Sequence, residues 1–351
     1  MDSLTQIVLG AACGEAILGK KIGNKALLFG AIGGTIPDLD VFVGSLLYGN
    51  EIDSMLFHRG FMHSILFSIL GAFLFGWLVH KLYDNGKRKA TTTRKDWIYL
   101  FFWALFTHPI LDAFTGYGTQ LFAPFSNYRI AFNNISVLDV FYTLPFLVCV
   151  IAILFYNRTN KKRKIWLKRG IVISSIYMLF TVANKMYVTS VFETSLEADG
   201  IPYTRFQTQP SLVANFLWYG TAETNDAYYV AYFSNFDSQQ RIVEWQKINK
   251  QHHIVSIKDA DIKNLAWFSN GYYNIYEDEI KAKAETKKVF TYTDLRYPFL
   301  NPNDSKSSVF SFKIFKDGER WNMVPFEPPA ENERMRLMEV FGPMFTRMKG
   351  I

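Results

Sequence analysis

The chain has 351 residues, 49% hydrophobic and 17% aromatic, with a net charge of +7. That length accommodates two domains, and the basic excess belongs to the first: residues 1–190 hold 19 Lys and Arg against 10 Asp and Glu, whereas residues 191–351 hold 19 against 21. Because the excess coincides with the apolar runs, and no basic stripe is interleaved with aromatics outside the loops, membrane orientation explains it better than nucleic-acid binding.

The N-terminus, MDSLTQIVLGAACGEAILGKK, places its lysines after the apolar stretch, where a secretory signal would place them before, so a retained helix is predicted over 3–18. ALLFGAIGGTIPDLDVFVGSLLY, from Ala26, is interrupted by Pro37, Asp38 and Asp40, and 26–36 is expected to form a tight hairpin with the first helix. FHRGFMHS, 57–64, then opens onto SILFSILGAFLFGWLVHKLY. This run, VLDVFYTLPFLVCVIAILFY from Val137 and GIVISSIYMLFTVANKMYV from Gly170 approach the roughly 20 apolar residues that span a bilayer. WIYLFFWALFTHPILDAF, from Trp97, carries His108 and Asp112 in its last turns. Cys13 and Cys149 fall within apolar segments and read as packed thiols, not a disulfide.

The loops 84–96 and 157–169 are strongly basic and are expected to be cytoplasmic. Threading the runs between them gives six membrane passages, and every polar interruption then falls on the opposite face, with Met1 and the region after 190. Beyond 190 the texture is that of a soluble domain. SLVANFLWYGTAETNDAYYVAYFSNFD reads as a hairpin about Thr-Asn-Asp, and SSVFSFKIFKDGERWNMVPF as another about Lys-Asp-Gly. RIVEWQKINKQ and YNIYEDEIKAKAETKKV read as helical or mixed. The expected fold is mainly α: a polytopic transmembrane helical domain, 1–190, carrying a polar site, then a smaller α+β extracytoplasmic domain, 191–351.

Four motifs share that outer face: PDLD (37–40), HRGFMH (58–63), HPILD (108–112) and SVLD (136–139). His108 and Asp112, four apart, project from one helix face and can reach one ion, while Asp38 and Asp40 can clasp an ion from one turn. Imidazole with carboxylate suits zinc, manganese or iron better than calcium. So many ligands suit two ions about 3.5–4 Å apart, which acidify a water and clamp a phosphate ester, with Arg59 beside them to hold a phosphate. Each part has a plainer reading: a histidine bonded to a carbonyl, Asp112 or Asp139 as a helix cap, Arg59 and Arg129 against lipid headgroups. Ionisable groups converging at the ends of separate apolar segments nevertheless point to function. His80, His252 and His253 have no acidic neighbours at suitable spacing and read as structural.

Through MDSLTQIVLGAACGEAILG, GTIPDLD, HRGFMHS, HPILDAFTGYGTQLFAPF and ISVLDVFYT, residues 1 to about 190 resemble the membrane-bound metal-dependent hydrolases, a bacterial family also described as LexA-regulated inner-membrane hydrolases. The resemblance implies Asp38, Asp40, His58, His63, His108 and Asp112 as ligands and Asp139 as a further, catalytic member of the site. Many members have Thr-His where this chain has Thr5-Gln6, so the amide oxygen of Gln6 stands where an imidazole would. The family's likeness to zinc-dependent phospholipase C and P1-type nucleases implies phosphodiester hydrolysis through a metal-activated water. The expectation is therefore a multi-pass inner-membrane hydrolase acting on a lipid or lipid-linked ester or phosphoester from the non-cytoplasmic side. Arg59 would stabilise charge developing on phosphorus, and Ser64 and Thr115 would support the ligands. A metal or proton transporter, and a membrane anchor with a helix-locking metal, are the rival readings.

Overall fold

Asp2 caps the first helix by accepting from Thr5 N at 3.1 Å, and α1 runs Ser3–Ile22 until Gly23, whose φ of 62° ends it. The structure, a computed structural model, describes residues 1–278, 288–299, 305–306, 308–323, 342 and 344–350. α2 (Asn24–Thr35) returns along α1 with the two backbones in contact: a Cβ on Gly10 would lie 2.4 Å from Gly30 O, and one on Gly34 2.5 Å from Gln6 O. Glycines four apart on both helices make the small-xxx-small packing of membrane helices.

The interruption at Pro37 and Asp38 is one 3₁₀ turn, Ile36–Leu39, and helix resumes as α3 (Asp40–Leu47), so 24–47 forms a nearly continuous helical stretch. α4 (Glu51–Phe57), a 3₁₀ turn at Phe61–His63, α5 (Ile65–Tyr83), α6 (Arg94–Ala113), α7 (Val140–Leu154) and α8 (Lys161–Ala198) follow. Among the described residues, three helices are long and apolar enough to cross a membrane: Asn24–Leu47, Ile65–Tyr83 and Lys161–Ala198. Their burial is that of a protein in hydrocarbon. α5 exposes Leu70, Phe73, Leu74 and Trp77, and α8 exposes Ile173, Ile176 and Leu179, whereas Trp97, Leu100 and Leu105 of α6 are wholly enclosed.

Among the described residues, the rest of the chain builds two antiparallel four-stranded sheets, so the structure is about half helix followed by a two-sheet region. β1 (Arg205–Pro210), β2 (Leu217–Glu223), β3 (Ala227–Ser234) and β4 (Gln246–Asn249) lie in chain order. After α9 (Ala260–Phe268), β5 (Tyr273–Asp278), β6 (Val289–Asp294), β7 (Ser311–Asp317) and β8 (Arg320–Met323) do the same. Both expected hairpins are present, as β2–β3 and β7–β8. The helical or mixed reading of 241–251 is corrected: its ordered part is β4, whose Ile248 pairs with Tyr228. YNIYEDEIKAKAETKKV begins as β5 and ends in β6, and its middle, 279–287, lies outside the described residues.

Packing divides the chain into two compact units: Met1–Leu46 with Phe57–Ala183 and Leu212–Ala214, and Leu47–Leu56 with Asn184–Ser211 and Asn215–Ile351. The division falls inside α8 after Ala183, ahead of the compositional change near 190. Residues 47–56 belong to the second unit, where Ile52 is wholly buried in a core with Ile262, Leu265, Tyr273 and Tyr292.

Candidate metal centre

Four side chains from three segments of the helical unit converge on one point. His108 lies in α6, and its Nδ1 is 2.6 Å from Gly34 O near the end of α2, whose Gly33 lets that helix approach Ala104 and Phe101 of α6. Asp112, one turn on, shares its helix face. Asp38 sits in the 3₁₀ turn before α3. His63 ends the turn before α5, and Ser64 fixes that junction as an N-cap, accepting from Phe67 N at 3.0 Å.

The four side chains present His63 Nε2, His108 Nε2, Asp38 Oδ1 and Asp112 Oδ2 to one another. The two imidazole nitrogens are 3.2 Å apart. His63 Nε2 is 3.5 Å from Asp38 and 3.4 Å from Asp112, and His108 Nε2 is 3.4 Å from Asp38 and 3.5 Å from Asp112. All four atoms lie within 4.8 Å of one another. Five of the six edges thus match a tetrahedron whose centre is about 2.1 Å from each corner, the length of a zinc–nitrogen or zinc–oxygen bond. His63, His108 and Asp112 are enclosed, and only the side chain of Asp38, 20% exposed, reaches solvent.

The neighbours hold these donors in place, the usual arrangement around a metal-binding histidine. Asp40 Oδ2 lies 2.9 Å from His63 Nδ1 and accepts from Arg59 N at 2.9 Å, while its Oδ1 is 2.7 Å from His58 Nδ1. The structure therefore sets Asp40 and His58 outside the four, with Asp40 occupied in orienting two imidazoles. Gln6 meets the cluster through its amide nitrogen, not its oxygen: Nε2 donates to Asp112 Oδ1 at 2.9 Å. The α-amino group of Met1 pairs with the same carboxylate oxygen. Arg59 Nε is 3.2 Å from Asp112 Oδ2, and Arg59 Nη1 donates to Thr115 Oγ1 at 2.9 Å.

Asp139 stands apart from the cluster. Its Oδ1 caps α7 by accepting from Phe141 N and Tyr142 N, each at 3.1 Å, and its Oδ2 accepts from Tyr177 Oη at 3.0 Å. Arg129 is held over the Tyr117 ring at 4.9 Å, with Arg59 at 4.7 Å from the same ring. His252 stacks on Tyr273 at 4.2 Å. The sequence reading passed over Tyr117 and the carbonyl of Gly34. The second could have been suspected from Gly10, Gly14, Gly30 and Gly34, whose spacing announces touching backbones.

Charge at the cluster is lopsided. Burial by itself would lower the His63 imidazole, but the carboxylates of Asp112, Asp38 and Asp40 more than reverse this and push it up to about 10. His58 is moved the other way, lowered by burial despite Asp40. Asp112 Oδ2 is enclosed and accepts no hydrogen bond of good geometry, and the Arg59 guanidinium at 3.2 Å offsets part of the cost of burying its charge. Two imidazoles and two carboxylates are the donor set of zinc-type ions. The residues fit a bound metal ion, and among the described residues this is the one His/Cys/Asp/Glu group gathered closely enough to hold one.

Comparison with known proteins adds membership but no activity. The uncharacterized protein YfhP of Bacillus subtilis (strain 168) is 28% identical over 160 residues, which is 43% of this chain and 45% of the relative, so the match spans less than half the relative's length. No solved structure matches. The family model described as YdjM inner membrane protein matches residues 1–188, the stretch that carries all the motifs above. This chain belongs to the YdjM inner membrane protein family.

Proposed function

We propose that the helical unit is a multi-pass, membrane-embedded metal-dependent hydrolase that acts on a phosphoester or ester at the lipid headgroup level. The tetrahedral spacing of His63, His108, Asp38 and Asp112 carries this reading. One zinc ion suits that spacing, in place of the two ions expected from the number of acidic and imidazole side chains. Bound there, zinc supplies Lewis acidity toward an ester oxygen and lowers the pKa of a water.

The chain's own groups do the rest. Asp38 is the solvent-reaching donor, so substrate approaches on its side. His58, held by Asp40 through Nδ1, is placed to move a proton with Nε2. Arg59 keeps a guanidinium beside Asp112, where it can hold an anionic oxygen. With the basic stretches 84–96 and 157–169, which include the first turns of α6 and α8, on the cytoplasmic side, the site faces the non-cytoplasmic side.

A second reading rests on the same spacing. Four protein donors fill a tetrahedral shell, as in structural zinc sites, which favours a metal that locks α2, α6 and the turn before α5 together. Elemental analysis of the detergent-purified protein beside a His63→Ala, His108→Ala variant, with a phospholipid and phosphodiester panel, separates the two. The hydrolase predicts about one equivalent of zinc, lost in the variant, together with turnover that Arg59→Lys lowers at unchanged metal content. Zinc without turnover leaves the lock. Equal trace metal in both proteins removes both readings.

A further inference from the structure

About 13 Å further along α1 from Gln6, the helical unit carries a second polar feature, unconnected with the metal cluster. Arg163, 2% exposed, is gripped by Glu15: Nε donates to Oε1 at 2.9 Å and Nη2 to Oε2 at 2.5 Å, while Nη1 donates to Asn24 Oδ1 and Tyr156 O, each at 2.7 Å. That pair ties α1 to α8 and lines a cleft of about 1030 Å³. Glu15 is the only acid among the described lining residues, and Arg163 consumes it. Lys20, Arg158, Lys161, Lys164 and Lys168 also line the cleft. Among the described residues, none of these five forms an ion pair with a carboxylate.

Next to it lies an apolar groove of about 190 Å³, lined by Leu9, Cys13, Ile17, Trp103, Phe146 and Ile171 among others. Ala16 belongs to the walls of both, so the charged cleft and the apolar groove adjoin on one face of α1. A cleft with several uncompensated cations calls for an anion, and an apolar trough beside it calls for a hydrocarbon chain. A free anion would use the first alone, and an apolar molecule the second alone.

We propose that this face binds an anionic phospholipid, its headgroup phosphate among Lys20, Arg158, Lys161, Lys164 and Lys168 and one acyl chain along the groove beyond Ala16. The full chain, purified in detergent, is titrated by native mass spectrometry with phosphatidylglycerol and with phosphatidylcholine of the same acyl chains, and inorganic phosphate is added as competitor. Phosphatidylglycerol should bind about tenfold tighter than phosphatidylcholine. The variant Lys161→Gln, Lys164→Gln, Lys168→Gln, which leaves Glu15 and Arg163 intact, should abolish that preference. Ala16→Phe should weaken both lipids. Equal binding of the two lipids by the parent overturns the proposal, as does a preference that survives in the lysine variant. Displacement by millimolar phosphate together with no effect of Ala16→Phe makes the cleft a free-anion site, and the lipid assignment fails.

Discussion

Asp40 serves three neighbours with two oxygens, and its worth lies in what it orients. Asp40→Asn keeps the shape but gives up the negative charge that draws His58 and His63 into position. We expect metal affinity to fall about 10- to 100-fold, as for the loss of other carboxylates behind metal-bound histidines, measured by competition with a chelator of known affinity. In the second unit, Glu223 accepts from Lys250 Nζ at 2.7 Å and pairs with Arg205 Nε at 2.5 Å. Burial would raise its carboxyl, but these two cations hold it below the usual glutamate value. A depressed carboxyl stabilises the fold above its unfolded pKa and loses that contribution as pH falls through the folded one. Glu223→Gln should therefore cost about 1 kcal/mol at pH 7, and thermal unfolding should show the deficit shrinking below about pH 4.

At the level of elements, the decisive contact is glycine against glycine. A Cβ on Gly30 would lie 2.2 Å from Gly10 O, so Gly30→Val must push α1 and α2 apart, at about 1–3 kcal/mol for forced overpacking. Because Gly34 O is the partner of His108 Nδ1, thermal unfolding and zinc content should fall together in this variant. A loss of stability with full zinc retention would detach the helix pair from the site. In the sheets, the ring of Phe192 occupies the space over Gly220, where a Cβ would meet it at 2.1 Å. Gly220→Ala should destabilise the second unit by about 1–3 kcal/mol in denaturant unfolding.

These elements also show what could be read from residues alone. Apolar length and the i, i+4 spacing of His108 and Asp112 located the longer helices of the first unit and one half of the cluster, since both follow from local geometry, but not α3, α4 or α9. The division of labour among the acids was not legible: Asp38 and Asp40 are two residues apart in one turn, yet one points to the four-atom centre and the other to the backs of two histidines. Asp139 caps a helix, which any aspartate before an apolar run can do. β4 escaped because Gln246–Asn249 alternates too briefly to betray a strand.

For the whole molecule, chain order and spatial order disagree. Residues 47–56 lie between Asp40 and His58 in sequence but belong to the second unit, where Asn50 Nδ2 donates to Trp321 O at 2.8 Å and Arg320 pairs with Asp53 at 2.9 Å. A fragment ending at residue 190 would leave Ile52 without the core that encloses it. Limited proteolysis should cut that fragment within 47–56 and spare the same segment in the full chain.

The two stretches of this gene are therefore not free to drift apart. A substitution at Ile52 is answerable to residues some two hundred positions downstream, and any change in the length of 47–56 alters the tether between the acidic turn and the histidine turn. Swapping the C-terminal region between relatives by a single crossover would carry over the sheets without the segment they enclose, so a working exchange needs two crossovers, with 47–56 travelling alongside its distant partners.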